Sequence, residues 1–304
     1  MEIGLIGCGG WGQKILCQLR EFDCCVFVID PSERARRAAI EEGAVTACSQ
    51  LTGKADGWII ASPASTHASM LAQLADIGSP IFVEKPFTTD LVSARRYAEN
   101  PRIFVMHIWR YHPAIRFLNS LVREGRIGQI KLVRSTRTNW TSPRTDVDPV
   151  WTLAPHDLSL AVEILGEIPQ PRAAWSERHQ GRPVGLIGIC GTDPALVFEV
   201  SSRFADKRRE LRIHGTDGVL SWRDEQPWVE LHEGNRSSSQ CVTVKIPFSG
   251  ESALRMELRT FIEYLQGGPP PPTTAREGAA VVEALLELRR IAGIADPSPA
   301  KELG

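Results

Sequence analysis

The sequence predicts an α/β protein in two parts: a doubly wound parallel sheet at the amino end, then a second α/β domain built on a largely antiparallel open sheet. Three observations carry this. Short apolar runs alternate with amphipathic stretches as far as Met106, β-rich segments crowd the chain beyond Ile130, and 304 residues exceed the usual size of one domain. We place the boundary at residue 118, which gives domains 1–118 and 119–304.

In the first part, strands are expected at Ile3–Gly7, Cys25–Asp30, Trp58–Ala61, Ile81–Glu84 and Ile103–Met106, each a short apolar run. Helices are expected between them, near Gly12–Arg20, Ser32–Glu42, Ser65–Ile77 and Asp90–Glu99, where apolar residues recur at helical spacing. An amphipathic stretch from His112 to Glu124 leads into the second part. There, β-branched and aromatic residues mark strands at Ile130–Arg137, Ala173–Arg178, Leu186–Cys190, Leu196–Phe204, Glu210–Gly215 and Val242–Ile246. A helix is expected from Pro155 to Leu165, and two closing helices at Leu254–Leu265 and Arg276–Ile291 flank a stiff connector of glycines and prolines, Gly267 to Pro272.

Charge narrows the function. With 35 basic residues against 36 acidic ones, the chain lacks the positive excess of a nucleic-acid binder, so a small-molecule partner is expected. No apolar run approaches the roughly 20 residues of a membrane span, and no export signal precedes the strand expected from Ile3, so a soluble cytoplasmic protein without membrane contact is expected. Seven cysteines without paired C-x-x-C spacing read as reduced and structural, with no metal site. Cys8 lies in a glycine loop, where its backbone amide matters more than its thiol.

That loop, Gly7-Cys8-Gly9-Gly10-Trp11-Gly12, carries G-x-G-x-x-G directly after an apolar strand and at the start of a helix, the context of a dinucleotide site. Gly7 permits the tight turn, Gly9 lets a pyrophosphate approach the backbone, and Gly12 allows close helix packing. Gly10 and Trp11 complete the loop as cofactor-binding candidates. Asp30 follows Gly12 by eighteen residues, at the end of the second strand, where a carboxylate can accept bonds from both ribose hydroxyls. NAD is therefore expected over NADP. Asp30 or Ser32 could instead cap the next helix, and Arg34 keeps NADP open because a cation there could take a 2′-phosphate.

Ala61-Ser62-Pro63-Ala64-Ser65-Thr66-His67, followed seventeen residues after His67 by Glu84-Lys85-Pro86, resembles the Gfo/Idh/MocA family of glucose-fructose oxidoreductase and inositol dehydrogenase relatives. The resemblance continues through Met106-His107, His112-Pro113, Gly125 to Gly128 and Ala154 to Ser159, and so covers nearly the whole chain. It implies a Rossmann domain followed by an open-sheet domain that binds substrate on one side and associates with a second copy, as dimer or tetramer, on the other. It also implies that Ser62, Pro63 and His67 lie along the nicotinamide-side loop and helix, with Glu84 and Lys85 ending a strand beside the nicotinamide. Apart from the resemblance, His67 reads as a helix cap or packing residue, and His107, which follows a strand, could line the same cleft or be a satisfied buried histidine.

The resemblance makes Lys85 the catalytic lysine, whose cation would stabilise an alkoxide-like oxygen. Pro86 would aim it, through a cis bond or through restricted geometry. Relatives commonly carry an aspartate four residues before a histidine near the substrate hydroxyl. Here His156 is present and Thr152 occupies the aspartate position, so the histidine lacks that charge. Asp157, Asp146 and Asp148 are nearby acids that could be structural or compensating. The stretch from Arg137 to Arg144 resembles a sugar-branch segment; Arg137, Asn139 and Arg144 could read hydroxyls or a carboxylate, with Thr152 and His156 beside them, or belong to a solvated loop. Trp140 and Trp151 could face a sugar ring or fill the core.

The expected activity is hydride exchange between nicotinamide and a hydroxyl or keto carbon of a sugar, nucleotide sugar or cyclic polyol. Two alternatives stay open: an NAD-dependent glycosidase-like enzyme, and a cofactor-binding regulator or partner subunit whose catalysis is lost or reduced, for which Thr152 is the motive.

Overall fold

The apolar runs of the amino-terminal third become strands because each is short and mostly buried, and the amphipathic stretches between them become the crossover helices of a parallel sheet. In chain order these are β1 (Glu2–Ile6), α1 (Gly10–Arg20), β2 (Cys25–Ile29), α2 (Glu33–Glu41), β3 (Thr46–Cys48), β4 (Gly57–Ile60), α3 (His67–Leu74), β5 (Ile81–Glu84), α4 (Leu91–Tyr97) and β6 (Ile103–Met106). The six strands pair in parallel in the order β3-β2-β1-β4-β5-β6. The order reverses between β1 and β4, and the glycine loop leaves β1 at that switch point. β3 escapes sequence reading because it has three residues, none buried.

The second region contains α5 (Pro113–Arg123), β7 (Ile130–Thr138), α6 (Pro149–Leu165), β8 (Pro171–His179), β9 (Arg182–Gly191), β10 (Ala195–Ser201), β11 (Arg208–Gly215), β12 (Gly218–Arg223), β13 (Trp228–Gly234) and β14 (Cys241–Pro247). Its eight strands run β14-β13-β12-β11-β7-β10-β9-β8, and only β7 and β10 pair in parallel, which matches the largely antiparallel expectation. β12 and β13, unmarked in the sequence reading, extend the sheet from β11 by successive antiparallel pairings. α6 packs on β7, β9 and β10, so one sheet face is covered. Along β9, Ile187 and Ile189 are exposed and alternate with buried Leu186 and Cys190, the signature of a strand with one open face.

α6 begins two turns before the expected Pro155. Asp148 caps it, accepting from the Val150 and Trp151 amides, and Pro149 takes the first position, where a missing N–H costs nothing. Pro155 is internal, so the start signal at Pro155 belonged to Pro149.

The helices α7 (Ala253–Leu265) and α8 (Ala275–Ile291) close the chain. In this computed structural model, which describes residues 1–140, 146–234 and 241–295, two compact units emerge. One comprises Met1–Ile108 with Ala253–Val282; the other comprises Trp109–Ser252 with residues 283–295. The division therefore differs from the expected break at 118 and is not sequential. α7 returns to the first unit because its apolar face packs there: Phe261 lies 4.9 Å from Phe82 of β5, and Leu265 lies over Gly57 of β4.

Candidate active site

The glycine loop shows why its glycines stand where they do. Gly7 has φ +89°, and a Cβ there would lie 2.6 Å from the Ser62 backbone; a Cβ on Gly12 would lie 2.1 Å from the Gly7 carbonyl oxygen. At Gly9 and Gly10 a Cβ would meet nothing within 4 Å. The loop is thus tight against β4 on one side and open on the other. α1 starts at Gly10 without a side-chain cap, unlike α2, α4, α5 and α6, so its first-turn amides are not claimed by a side chain. An open face over uncapped helix amides fits a pyrophosphate.

Asp30, nearly buried at the end of β2, accepts from Cys8 N and Ser32 N, both at 2.8 Å. It therefore shapes the loop as well as facing it, and its carboxylate retains capacity for ribose hydroxyls. The helix cap is Ser32, whose Oγ accepts from Ala35 N at 3.3 Å. Arg36 bonds the carbonyls of Asp30 and Pro31, while Arg34 is exposed. Burial, then Asp30 and Glu42, push the Cys8 thiol up to about 11, so it is a neutral packing group.

Trp11 Nε1 donates to Glu84 Oε1, and Lys85 N donates to Glu84 Oε2 at 3.1 Å. Glu84 is buried, and through it the glycine loop and the end of β5 are tied together. Lys85 is half-buried and precedes a cis bond to Pro86. His67 is fully buried; its Nδ1 lies 2.7 Å from the Pro86 carbonyl oxygen and its Nε2 3.0 Å from that of Ser62. The Ser62 hydroxyl bonds that of Thr66 at 2.7 Å, and Pro63 is exposed beside it. The ring of His67 is thus a strut between the two strand-end loops, with both nitrogens facing backbone.

In the second unit, Thr152 and His156 are one turn apart on α6, both nearly buried. The Thr152 hydroxyl donates to the Pro149 carbonyl at 2.9 Å. Trp109 gathers the groups around His156. Its ring meets that of His156 edge-on at 6.4 Å, stacks on His112 at 5.2 Å, and lies 6.0 Å from Trp222. The guanidiniums of Arg137 and Arg209 lie over it at 4.6 and 5.2 Å. Burial drives the His112 pKa down to about 4, Arg209 and Arg137 adding to it against Asp224. A cavity of about 210 Å³ lined by Arg134, Thr136, Glu199, Arg208, Glu210 and Arg212 opens on the other sheet face, since Arg134 and Thr136 alternate with Arg137 along β7.

Residues 1–101 match the profile of the Gfo/Idh/MocA oxidoreductase family, described as having an NAD-binding Rossmann fold. The match covers β1 to β5 of the first unit's parallel sheet, so residues 1–101 are similar to the Rossmann domain of that family. The chain is 21% identical over 248 residues to inositol 2-dehydrogenase of Rhizobium meliloti strain 1021, covering 75% of each protein. Its fold matches UDP-N-acetylglucosamine 3-dehydrogenase from Acidithiobacillus ferrooxidans with a TM-score of 0.82 at 23% identity, over 96% of this chain and 97% of that one. It likewise matches levoglucosan dehydrogenase in complex with NADH and levoglucosan, with a TM-score of 0.83 at 17% identity and the same coverage of 96% and 97%.

The first unit brings together Gly7, Gly9, Gly10, Trp11, Gly12, Asp30, Ser62, Glu84 and Lys85 around the switch point. His67, expected along the cofactor, supports the loops instead, and His107 is fully buried at the end of β6. Arg137, a substrate-binding candidate, gives Nε and Nη2 to Asp157 at 3.1 and 3.4 Å. Asp148 does not supply the missing carboxylate, because it caps α6 and pairs with Arg289 at 2.8 Å. Asn139 is at the end of β7, with its backbone N–H on the Ser201 carbonyl and its side chain on Trp140 N at 3.0 Å. Trp140 is exposed under Arg203, whereas Trp151 is core. Arg144 lies outside the described residues.

Sequence reading missed Trp109, Arg209, Trp222 and Glu257. The first three share no spacing, being joined only by packing. Glu257 did carry a signal: it is an acid on the apolar stripe of α7, one turn before Phe261.

Proposed function

We propose that this oxidoreductase acts on a CH–OH or keto carbon of a sugar, nucleotide sugar or cyclic polyol, with NAD(H) in preference to NADP(H). The observation that carries it is the Trp11–Glu84–Lys85 array, which links an uncapped glycine loop to a half-buried lysine in one unit. When bound, the nicotinamide supplies the hydride acceptor or donor. Gly9, Gly10 and the first turn of α1 would hold its pyrophosphate, and Asp30 its ribose, where the carboxylate disfavours a 2′-phosphate. Ser62, Pro63 and Glu84 would line its nicotinamide side.

Lys85 would donate to the substrate oxygen as negative charge develops there. His156 would take the hydroxyl proton as a neutral base, or return it in the reverse direction. Thr152, with its hydroxyl committed to Pro149, offers no charge to the resulting imidazolium, so we expect slower or differently tuned turnover, and a chain kept for binding is the second reading. Exposed Trp175, Ile187 and Ile189 on the open sheet face suit a second copy of this chain, and Trp175→Glu should lower the mass seen in sedimentation. A cytoplasmic setting accords with seven cysteines that are all free.

The test is NADH formation from NAD across a panel of sugars, nucleotide sugars and cyclic polyols. Lys85→Ala should lower turnover by about 10²–10³-fold while NADH binding persists. Unchanged turnover in that variant would sink the reading.

A further inference from the structure

Glu257 is fully buried on α7, and neither carboxyl oxygen has a hydrogen-bond partner among the described residues. Such a group is costly and calls for a reason. Its direction follows from its neighbours. Phe261, one turn on, packs against Phe82 of β5 at 4.9 Å, and Phe82 and Glu84 are alternate residues of that strand. The stripe bearing Glu257 therefore covers the sheet face that bears Glu84, whose carboxylate holds Trp11 Nε1 and Lys85 N.

We propose that Glu257 is a positioning residue of the cofactor site, kept as a neutral carboxylic acid, whose proton decides whether Glu84 keeps its bonds to the glycine loop and to Lys85. The proposal rests on the dinucleotide reading above and adds a titratable control to it.

The surroundings favour the neutral form. Burial first, and the charge of Glu84 second, raise the Glu257 pKa well above the ordinary glutamate range. β4 and β6 present no ionisable side chain, being Gly57–Ile60 and Ile103–Met106. On α7 itself, Arg255 and Arg259 are each two residues away, some 200° around the helix, and lie over Phe22 at 4.6 and 5.9 Å. Arg255 is also paired with Glu21. On α1, Lys14 lies over the Trp11 ring at 5.6 Å. Glu84 is thus the charged group that acts on Glu257. Loss of the Glu257 proton would set a second anion against Glu84 in a dry site, and the Glu84 carboxylate would be displaced or take up a proton itself, giving up its bonds to the indole and the Lys85 amide.

The experiment compares the wild-type chain with Glu257→Gln and Glu257→Met, the second serving should the first fail to fold. Infrared spectra of the protein without cofactor should show a protonated-carboxyl band above neutral pH that both variants lack. NADH dissociation constants, measured from neutral to about pH 10, should rise about tenfold or more in the wild type. In both variants that pH-dependent ratio should shrink to within about threefold. Absence of the band in the wild type, or an equal pH dependence in all three proteins, overturns the proposal. Failure of NADH to bind the wild type at any pH overturns the dinucleotide reading and the proposal together, and so is distinguished from the first two results.

Discussion

Arg137 on β7 and Asp157 on α6 form a buried, two-bond ion pair, Nε to Oδ2 at 3.1 Å and Nη2 to Oδ1 at 3.4 Å, with side chains 7% and 1% exposed. The acid next to His156 in sequence is therefore spent on holding the helix to the sheet, and it cannot replace the carboxylate that Thr152 lacks. Removing one partner leaves the other charge buried. Asp157→Asn should cost about 3–5 kcal/mol in denaturant unfolding, and Arg137→Met with Asp157→Leu should cost less than either single change.

The glycines of the loop separate stability from binding. Gly12→Ala drives a methyl into the Gly7 carbonyl and should lose about 1–3 kcal/mol as well as NADH affinity. Gly9→Ala meets no protein atom, so its unfolding midpoint should stay within about 0.5 kcal/mol of wild type while NADH binding weakens about tenfold. Equal effects of the two on stability would contradict the geometry.

His112 should give the protein an acid-labile element. In the folded state its pKa is down to about 4, against 6.5 ordinarily, so between those values the unfolded chain holds a proton that the native ring refuses. Its contribution is fully present above pH 6.5 and is lost as pH falls toward 4, by up to about 3 kcal/mol. His112 Nδ1 accepts from Ala114 N at 3.2 Å, a capping role that asparagine can fill without titrating. His112→Asn should flatten the acid limb of the stability profile measured by thermal melts.

Thr152→Asp would put a carboxylate one turn before His156 on the same helix. A more basic His156 should move the acidic limb of the kcat/KM profile upward by about one pH unit, and turnover should rise. An unmoved limb would show that His156 is not the titrating base.

Much of the first unit was legible. The parallel strands Cys25–Ile29, Ile81–Glu84 and Ile103–Met106 are apolar runs that declare themselves, and the glycine loop with Asp30 is a local pattern. Lys85 was found through its motif. What the motif could not convey is that Glu84 joins Trp11 to Lys85, because the two sides of that contact are 73 residues apart in the chain. The start of α6 was misread for a local reason: two prolines competed for the first position of one helix, and the cap at Asp148 decided between them.

The sequence by itself determined the fold class, the switch-point loop, the candidate lysine and histidine, and the threonine, Thr152, one helical turn before that histidine, since each depends on side-chain type at short spacing. Only tertiary structure decided how those groups are employed. It gave Asp157 to Arg137, turned His67 into a strut between two backbone carbonyls, returned α7 to the first unit and buried Glu257 on the helix that packs against β5. The physical reason is that a charge or a ring nitrogen takes its role from the nearest partner in space, and the partner of a buried group is chosen by packing across the chain rather than along it.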